Sequence, residues 1–434
     1  MNIKIINGLA KAKEEFSMRS QTLHGEDRHN NSTDISSPHQ SVKQIVEDVR
    51  NFGDKALYKY RNSLDGLSSQ PLEIDNSSIT KAYNEIDPEL VKALKLSANR
   101  IEEYHKATLP KSWFDDSMGL GEKAIPLKRA GVYTPGGTAS YPSSVLMTAI
   151  PARVAGVKEI IVCTPSTSPE VLAAAAIAKV DRVFNVGGAQ AIAAMTYGTE
   201  SIPQVDIVCG PGNIYVTLAK KMVFGDVAVD GLYGPTEMVL IADDTANPIH
   251  CSADLLAQAE HDPLASPILV TNSMNLIEKV KVQLLKQIET LERRDTISAS
   301  LDHKGRLVLV DDIEEAIELA NFISPEHVCL SIHDPWSWTD KIRNAGGLFL
   351  GRYSPEVVGD YIAGPSHVMP TGGTARFSSA LGVHQFIRTM PIINLKPDGF
   401  EKMVKAVSII ARSEGLTAHA NAMEMRLLSE EASE

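Results

Sequence analysis

The stretch KEIIVCTPSTSPEVLAAAAIAKV, residues 158–180, shows the pattern that decides the fold. A short apolar run ends in small and turn-forming residues and leads into an alanine-rich segment of helical character. The pattern recurs in RVFNVGG and AQAIAAMTYG (182–198) and in DIVCGPGN and IYVTLAKKMVFG (206–225). This alternation predicts parallel strands joined by crossover helices, and therefore an α/β fold.

A second series of the same kind begins at EMVLIAD (237–243) and ends at HVCLSI (327–332). Between them lie HCSADLLAQAEHD (250–262), SPILVTN (266–272), a long helix near 276–291, RLVLV (306–310) and DIEEAIELANFI (312–323). Two such series predict two incomplete Rossmann-like α/β lobes with parallel sheets and a cleft between them.

Helical segments flank the two lobes. We expect a helical N-terminal segment over residues 1–24, a main α/β lobe built from 25–132 and 237–381, a second lobe over 133–236, and a helical C-terminal arm over 382–434. Residues 24–40, HGEDRHNNSTDISSPHQ, are polar and indicate a loop or mobile link.

The composition excludes several classes of protein. The chain has 434 residues, of which 43% are hydrophobic, and a formal net charge of −12. No basic run offsets this charge, so nucleic acid is not expected as a partner. No uninterrupted apolar stretch is long enough to cross a bilayer, and the four cysteines form neither a CxxC pair nor a disulfide framework. We expect a cytoplasmic protein with buried cysteines.

Glycines mark three predicted strand ends: TPGGTASYPSS (134–144), VGGAQ (186–190) and CGPGN (209–213). At the carboxyl end of a parallel strand, glycine lets a ligand approach the backbone N–H groups at the start of the next helix. None of the three matches GxGxxG or a P-loop. Tight turns account for each one alone, whereas three in one lobe favour a ligand cleft.

Polar side chains suited to metal binding occur in three places. Gln258 and His261 lie three residues apart on a predicted helix and share a face. Asp360 and His367 lie in a segment punctuated by glycine and proline, and Glu414 and His419 lie on the C-terminal arm. Each place also has a plain alternative: a solvated helix end for the first, a turn-rich connection for the second and a polar helix face for the third. If Gln258, His261, Asp360 and His419 converge, they form a mixed oxygen–nitrogen site for a divalent cation.

The stretch SPEHVCL (324–330) places Glu326 beside His327 at the start of a predicted strand. Neighbouring side chains on a strand point to opposite faces. A turn at Pro325 can interrupt that alternation. We therefore predict that both side chains reach one cleft from backbone that is not yet regular strand, as an acid–base pair. A capped strand start is the plain alternative.

Several of these segments carry a resemblance to a known family. The chain is similar to histidinol dehydrogenases from about residue 43 to its end, in GVYTPGGTASYPSSVLM (131–147), VGGAQAIAAM (186–195), GPGNIYV (210–216), QAEHDP (258–263), SPEHV (324–328), GDYIAGPSHVMPTGGTARFSS (359–379) and EGLTAHA (414–420). The resemblance implies a zinc-dependent, NAD-linked oxidation of L-histidinol to L-histidine through L-histidinal, the last steps of histidine biosynthesis.

The resemblance also implies a role for each candidate residue. His327 becomes the general base, and Glu326 activates the water that attacks the aldehyde. About one zinc ion per subunit is implied on Gln258, His261, Asp360 and His419. The same four residues and His327 then line the substrate site, together with Thr236, His367 and Glu414. NAD contacts fall on Tyr133, Gln190 and Asn213, so residues 133–236 become the NAD-binding lobe. The arm over 382–434 is implied to mediate a homodimer with shared active sites.

The chain departs from the family pattern near the implied substrate. Thr236 replaces a serine, Ser366 replaces an asparagine and Ile207 replaces a lysine. Two alternatives therefore stand beside histidinol oxidation. One is a related NAD- and zinc-dependent dehydrogenase for another small primary alcohol, such as a sulfonated diol. The other is a non-catalytic metabolite-binding protein that keeps the fold.

Overall fold

A computed structural model describes residues 3–17, 38–65, 71–136 and 140–431. The chain divides into two compact units, Met1–Leu109 with Leu127–Phe386 and Pro110–Pro126 with Ile387–Glu434. The predicted α/β class with mostly parallel sheets is confirmed. Within the described residues, no helix combines the length and apolar character that a membrane span requires. The four cysteines are buried and unpaired, as predicted.

The helices of the described residues are α1 (Leu9–Ser17), α2 (Pro38–Phe52), α3 (Asp54–Asp65), α4 (Asn76–Glu85), α5 (Pro88–Ala107), α6 (Pro142–Ala155), α7 (Pro169–Ile177), α8 (Gly188–Tyr197), α9 (Ile214–Val223), α10 (Pro248–Glu260), α11 (Met274–Gln287), α12 (Arg294–His303), α13 (Ile313–Ile323), α14 (Glu356–Tyr361), α15 (Pro397–Ser413) and α16 (Thr417–Glu431). Short 3₁₀ turns occur at Ile288–Thr290, Trp336–Lys341, Thr374–Arg376 and Val383–Phe386.

The strands are β1 (Lys4–Asn7), β2 (Glu73–Ile74), β3 (Trp113–Asp115), β4 (Leu120–Pro126), β5 (Arg129–Tyr133), β6 (Glu159–Cys163), β7 (Arg182–Phe184), β8 (Ile207–Cys209), β9 (Ala228–Val229), β10 (Glu237–Ala242), β11 (Ser266–Thr271), β12 (Arg306–Leu309), β13 (His327–Ser331), β14 (Gly347–Leu350) and β15 (Ile387–Ile393). Among the described residues, these strands form two six-stranded sheets and one three-stranded sheet.

The first sheet has the order β2-β7-β6-β5-β8-β9 and is parallel except for the edge strand β2. Its strands are short apolar runs because helices cover both faces and leave no face to water. One side packs against α2, whose buried residues Val42, Ile45 and Val49 follow a helical spacing. The carboxyl ends of β5, β7 and β8 carry the three glycine-marked segments.

The second sheet is entirely parallel, with the order β1-β12-β11-β10-β13-β14. Side chains alternate between its two faces: Met238 and Leu240 join one core cluster, and Val239 and Ile241 join the other. Both clusters are buried, so each strand appears as a continuous apolar run in the sequence. This frame fixes the start of β13, where the candidate acid–base residues Glu326 and His327 lie next to the start of β10.

The sheet pairing differs from the expected domain boundaries. Residues 25–132 were expected in the main lobe, yet β2 and β5 hydrogen-bond within the first sheet, and α2 packs on it. The N-terminal segment contains the expected helix, α1, but begins with the strand β1, which pairs with β12. Sequence periodicity defines an element but not the distant strand that it joins. Most of the expected loop 24–40 lies outside the described residues, and α2 already begins at Pro38.

The second unit contains a small antiparallel sheet that the sequence did not reveal. Its strand order is β15-β4-β3, with Ile387 opposite Pro126 and Ile393 opposite Leu120. The C-terminal arm, expected over 382–434 as helices alone, therefore starts with a strand and shares its unit with Pro110–Pro126. The helical part follows as α15 and α16, with Val404, Ser408 and Ala411 buried.

Candidate active site

The backbone before β13 brings Glu326 and His327 together. Helix α13 ends at Ser324, which adopts a left-handed conformation with φ of 52°. Glu326 then lies outside regular strand, whereas His327 is the first residue of β13 and is opposite Met238. The expectation of irregular backbone at both residues was therefore wrong for His327. Both side chains are buried, and His327 Nδ1 lies 4.0 Å from Glu326 Oε2.

A chain of hydrogen bonds connects residues at the start of the neighbouring strand β10 to Glu326. Thr236, immediately before β10, donates its hydroxyl to Glu326 Oε2 at 2.5 Å. Gln258 Nε2 donates to the same hydroxyl oxygen at 2.9 Å. The backbone N–H of Glu237 adds a bond to Glu326 Oε2 at 3.2 Å. The amide oxygen of Gln258, Oε1, is buried without a hydrogen-bond partner in the part of the chain that the structure describes.

Helix α10 positions Gln258 and His261. Asn247 caps its start by accepting from the N–H of Ile249 at 2.9 Å, and Pro248 occupies the first turn. Gln258 is fully buried near the helix end, and His261 follows directly as an exposed residue. Their spacing of three residues places both on one side of the helix.

Helix α14 supplies the acidic partners of these residues. Asp360 Oδ2 lies 3.3 Å from His261 Nε2. One turn earlier, Glu356 Oε1 lies 3.4 Å from His327 Nδ1, and Glu356 is only 2% exposed. His261, Glu356 and Asp360 offer ligand atoms that all lie within 4.8 Å of one another. The structure therefore places Glu326 and His327 beside three of the expected metal ligands, Gln258, His261 and Asp360.

His367 is held by two contacts beside this site. Its Nδ1 lies 2.8 Å from the backbone oxygen of Asp360, and its Nε2 lies 3.2 Å from Ser144 Oγ. Because the backbone oxygen can only accept, Nδ1 carries the proton and Nε2 accepts from the serine hydroxyl. His367 therefore connects helix α6 of the first series to α14.

Burial controls the ionisation of the acid–base pair. Burial raises the pKa of Glu326 to about 8, although the hydrogen bond from Thr236 counteracts it. Burial lowers the pKa of His327 to about 4, because it disfavours the imidazolium ion. Burial also raises the pKa of Glu356 well above its usual range, and the charge of Asp360 adds to this effect. At neutral pH, His327 is therefore a neutral imidazole that can accept a proton.

The three residues expected to contact NAD lie at the carboxyl edge of the first sheet. Tyr133, at the end of β5, is buried, and its hydroxyl accepts from the N–H of Gly188 at 3.1 Å. Gln190, in the first turn of α8, is buried, and its Oε1 has no hydrogen-bond partner among the described residues. Asn213 caps α9 through bonds from the N–H groups of Tyr215 and Val216.

Glu414 and His419 belong to the second unit, which is described by itself. Glu414 follows α15, and His419 lies in the first turn of α16. Both side chains are exposed in this single chain. The first unit thus contains three of the four expected metal ligands, whereas the fourth comes from the arm.

Comparisons with known proteins decide the family. A family model described as histidinol dehydrogenase matches residues 28–427. Among curated relatives, histidinol dehydrogenase from Synechococcus sp. is 42% identical over 98% of both chains. The enzyme from Aquifex aeolicus is 47% identical over 89% of this chain and 92% of its own. This chain belongs to the histidinol dehydrogenase family. It is therefore an NAD-dependent oxidoreductase.

Solved structures agree with this histidinol dehydrogenase family assignment. The histidinol dehydrogenase structure from Elizabethkingia anophelis superposes with a TM-score of 0.91 at 33% identity, over 99% of each chain. An acetylating aldehyde dehydrogenase from Geobacillus thermoglucosidasius matches with a TM-score of 0.51 at 14% identity, over 89% of this chain and 98% of its own. The second likeness shows the fold alone.

Glu356 is the residue of this histidinol dehydrogenase family site that sequence reasoning missed. A signal was present, because Glu356 and Asp360 are four residues apart and four-residue spacing places side chains on one helix face. The surrounding glycines and prolines instead favoured a loop. The short helix α14 is visible only in the structure, where it brings Glu356 to His327 and Asp360 to His261.

Proposed function

We propose that this chain oxidises L-histidinol to L-histidine through L-histidinal, with two NAD⁺ reduced. The observation that carries the proposal is the buried pair Glu326 and His327, 4.0 Å apart, beside the donor atoms of Gln258, His261 and Asp360. An alcohol-to-acid oxidation needs a proton acceptor in both hydride-transfer steps and a group that activates water between them. This pair offers one group for each task.

His327 takes the hydroxyl proton of the substrate while the carbinol carbon loses hydride to NAD. Its lowered pKa, caused by burial, keeps the ring neutral and therefore able to accept. Glu326 in its carboxylate form then takes a proton from the water that adds to the aldehyde carbon, while His327 returns its proton to the aldehyde oxygen and becomes neutral again. The resulting gem-diol loses its second hydride with His327 again as base, which gives the carboxylic acid.

Zinc fits the donor set of the site. Gln258 Oε1 is a buried carbonyl oxygen without a partner in the described part of the chain, and His261 and Asp360 offer the nitrogen and oxygen ligands that zinc takes. When bound, zinc polarises and orients the substrate without redox chemistry. Gln258, His261 and Asp360 would hold it from one chain, and His419 would be the fourth ligand.

NAD contacts are proposed for Tyr133, Gln190 and Asn213. All three lie at the carboxyl edge of a parallel sheet, where open α/β sheets bind ligands. The start of α9 at Asn213 is the positive end of a helix dipole, which suits a pyrophosphate. Gln190 adds a buried amide whose oxygen is available to a ligand group.

A homodimer with shared active sites is proposed for the arm. Glu414 and His419 are exposed in the single chain, as expected for residues that complete a site on a partner subunit. The second unit also exposes large apolar side chains, including Ile393, Ile409 and Ile410. An exposed apolar surface of this kind indicates an interface.

Steady-state NADH production with L-histidinol and with 2,3-dihydroxypropane-1-sulfonate tests the proposed function. Turnover of histidinol with two NADH formed per histidine is expected, since the carboxylates of Glu414 and Asp360 suit an aminated substrate and repel a sulfonate. Turnover of the sulfonated diol alone would favour the related dehydrogenase. A zinc-loaded protein inert toward L-histidinol would overturn the proposed function.

A further inference from the structure

A buried lysine–aspartate pair lies beside the turn GPGN (210–213) and has no role in the chemistry described so far. Lys220 lies in the last turn of α9, and Asp230 follows β9 directly. Their side chains are 1% and 0% exposed, and Lys220 Nζ lies 2.6 Å from Asp230 Oδ1. The ring of Tyr233 adds a cation–π contact, with its centroid 5.0 Å from Nζ.

The pair binds both polar backbone groups of Gly210. Lys220 Nζ donates to the Gly210 oxygen at 2.6 Å, and Asp230 Oδ2 accepts from the Gly210 N–H at 2.8 Å. Gly210 has φ of 109°, and a Cβ at this position would stand 2.1 Å from the backbone oxygen of Tyr133. The turn is therefore fixed by close packing on β5 and by two charged hydrogen-bond partners.

Stability alone does not explain such a pair. Removing two charges from water is costly, and a well-packed apolar pair of similar size is commonly as stable or more stable. An apolar pair, however, can neither donate to the Gly210 oxygen nor accept from its N–H. What the charges contribute specifically is the orientation of the turn, which ends at Asn213.

The chain beyond Asp230 connects this turn to the acid–base site. The segment 230–236 leaves the carboxyl edge of the first sheet after β9 and enters the amino edge of the second sheet at β10. Gly234 N–H donates to Thr371 Oγ1 at 2.6 Å, and Thr236 donates to Glu326. One short segment is thus attached at one end to Gly210 and at the other to Glu326.

We infer that Lys220 and Asp230 are positioning residues for NAD: they fix the position of the turn that carries Asn213 relative to Thr236 and Glu326. This inference rests on the proposed NAD contact of Asn213. It assigns to the pair a role in holding the nicotinamide cofactor next to the proposed proton acceptors Glu326 and His327.

The test compares Lys220→Met/Asp230→Asn with Lys221→Met, a control on the same helix whose side chain is exposed. The double variant is neutral and similar in size, which avoids leaving one buried charge unpaired. We expect its KM for NAD to rise about tenfold, the effect of losing one charged hydrogen bond. The KM for histidinol and the zinc content of the double variant should remain at wild-type values. The control variant Lys221→Met should keep the wild-type value of every one of these quantities.

The outcomes separate this inference from the proposed function. A folded double variant with wild-type KM for NAD overturns the positioning role, as does an equal rise in KM for both substrates, which indicates a general structural effect. Asn213→Ala is measured in parallel and should also raise the KM for NAD. If Asn213→Ala leaves that KM unchanged, the proposed cofactor contact fails and the inference fails with it. If Asn213→Ala raises the KM for NAD but the double variant does not, the proposed contact stands and the inference fails.

Discussion

Thr236→Val tests the hydrogen-bond chain on which the water-activating role of Glu326 depends. The substitution is close to isosteric but removes the hydroxyl that donates to Glu326 Oε2 and accepts from Gln258 Nε2. Losing a hydrogen bond to a charged group costs about 1.5–3 kcal/mol, and a buried unpaired donor costs about 1–3 kcal/mol. The lost bond specifically destabilises the carboxylate form of Glu326.

The pKa of Glu326, already raised to about 8 by burial, should therefore rise further. A loss of about 1.4 kcal/mol corresponds to about one pH unit, so the rising, acid-side limb of the pH profile for L-histidinal oxidation should move up by at least about one unit. The free energy of unfolding should fall by about 1–3 kcal/mol because Gln258 Nε2 loses its acceptor.

The assay measures the initial rate of L-histidinal oxidation from pH 6 to pH 10, together with urea unfolding at pH 7. Thr236→Ser is the matched control, because it keeps the hydroxyl and removes only a methyl group, and its profile should follow the wild type. Identical pH midpoints and urea midpoints for Thr236→Val and the wild type would refute the proposed role of this hydroxyl.

Four further outcomes follow from the structure. His327→Ala should slow both oxidations by about 10²-fold or more, whereas Glu326→Gln should slow mainly the aldehyde step; separate assays with L-histidinol and L-histidinal decide this, and the reverse pattern would contradict the roles. In the wild type, the rate of histidinal oxidation should rise with pH through about 8, because the pKa of Glu326 is raised by burial, and Glu326→Gln should lack that rise. Hydrogen bonds from Tyr60 and Lys59 lower the pKa of Asp48 to about 2, so the ionised carboxylate stabilises the folded protein above its unfolded pKa, and this stability is lost as the pH falls from about 4 to 2. Asp48→Asn should therefore lower the free energy of unfolding, measured in urea, by about 1–2 kcal/mol at pH 7 and by little at pH 2. His419→Asn should lower the zinc content of the protein. Mixed dimers of one His419→Asn chain and one Gln258→Ala chain should regain activity toward L-histidinol, whereas no recovery of activity would argue against shared sites.

Local sequence patterns were sufficient for the fold class and for most elements. Runs such as EIIVC and EMVLIA are apolar because both faces of their sheets are covered, and the segments that follow them have helical character. The same patterns could not give the partners of β1 and β2. These edge strands are short, and each pairs with a strand far away in sequence, β12 and β7.

The candidate residues were also recognisable from the sequence, although the contacts between them were not. Glu326 and His327 stand out as neighbours, and Gln258 and His261 stand out by spacing. Only the tertiary structure shows that Thr236 connects Gln258 to Glu326. Glu356 lies in a stretch that resembles a loop, and its role beside His327 depends on the single turn of helix between it and Asp360.

The sequence by itself determined the α/β alternation, the positions of the turns and the types of polar side chain available, because these depend on neighbours along the chain. The tertiary structure decided which side chains meet and how each one ionises. Hydrogen bonding across sheets and loss of water act between residues that are distant in sequence, and burial is what sets the pKa values of Glu326 and His327.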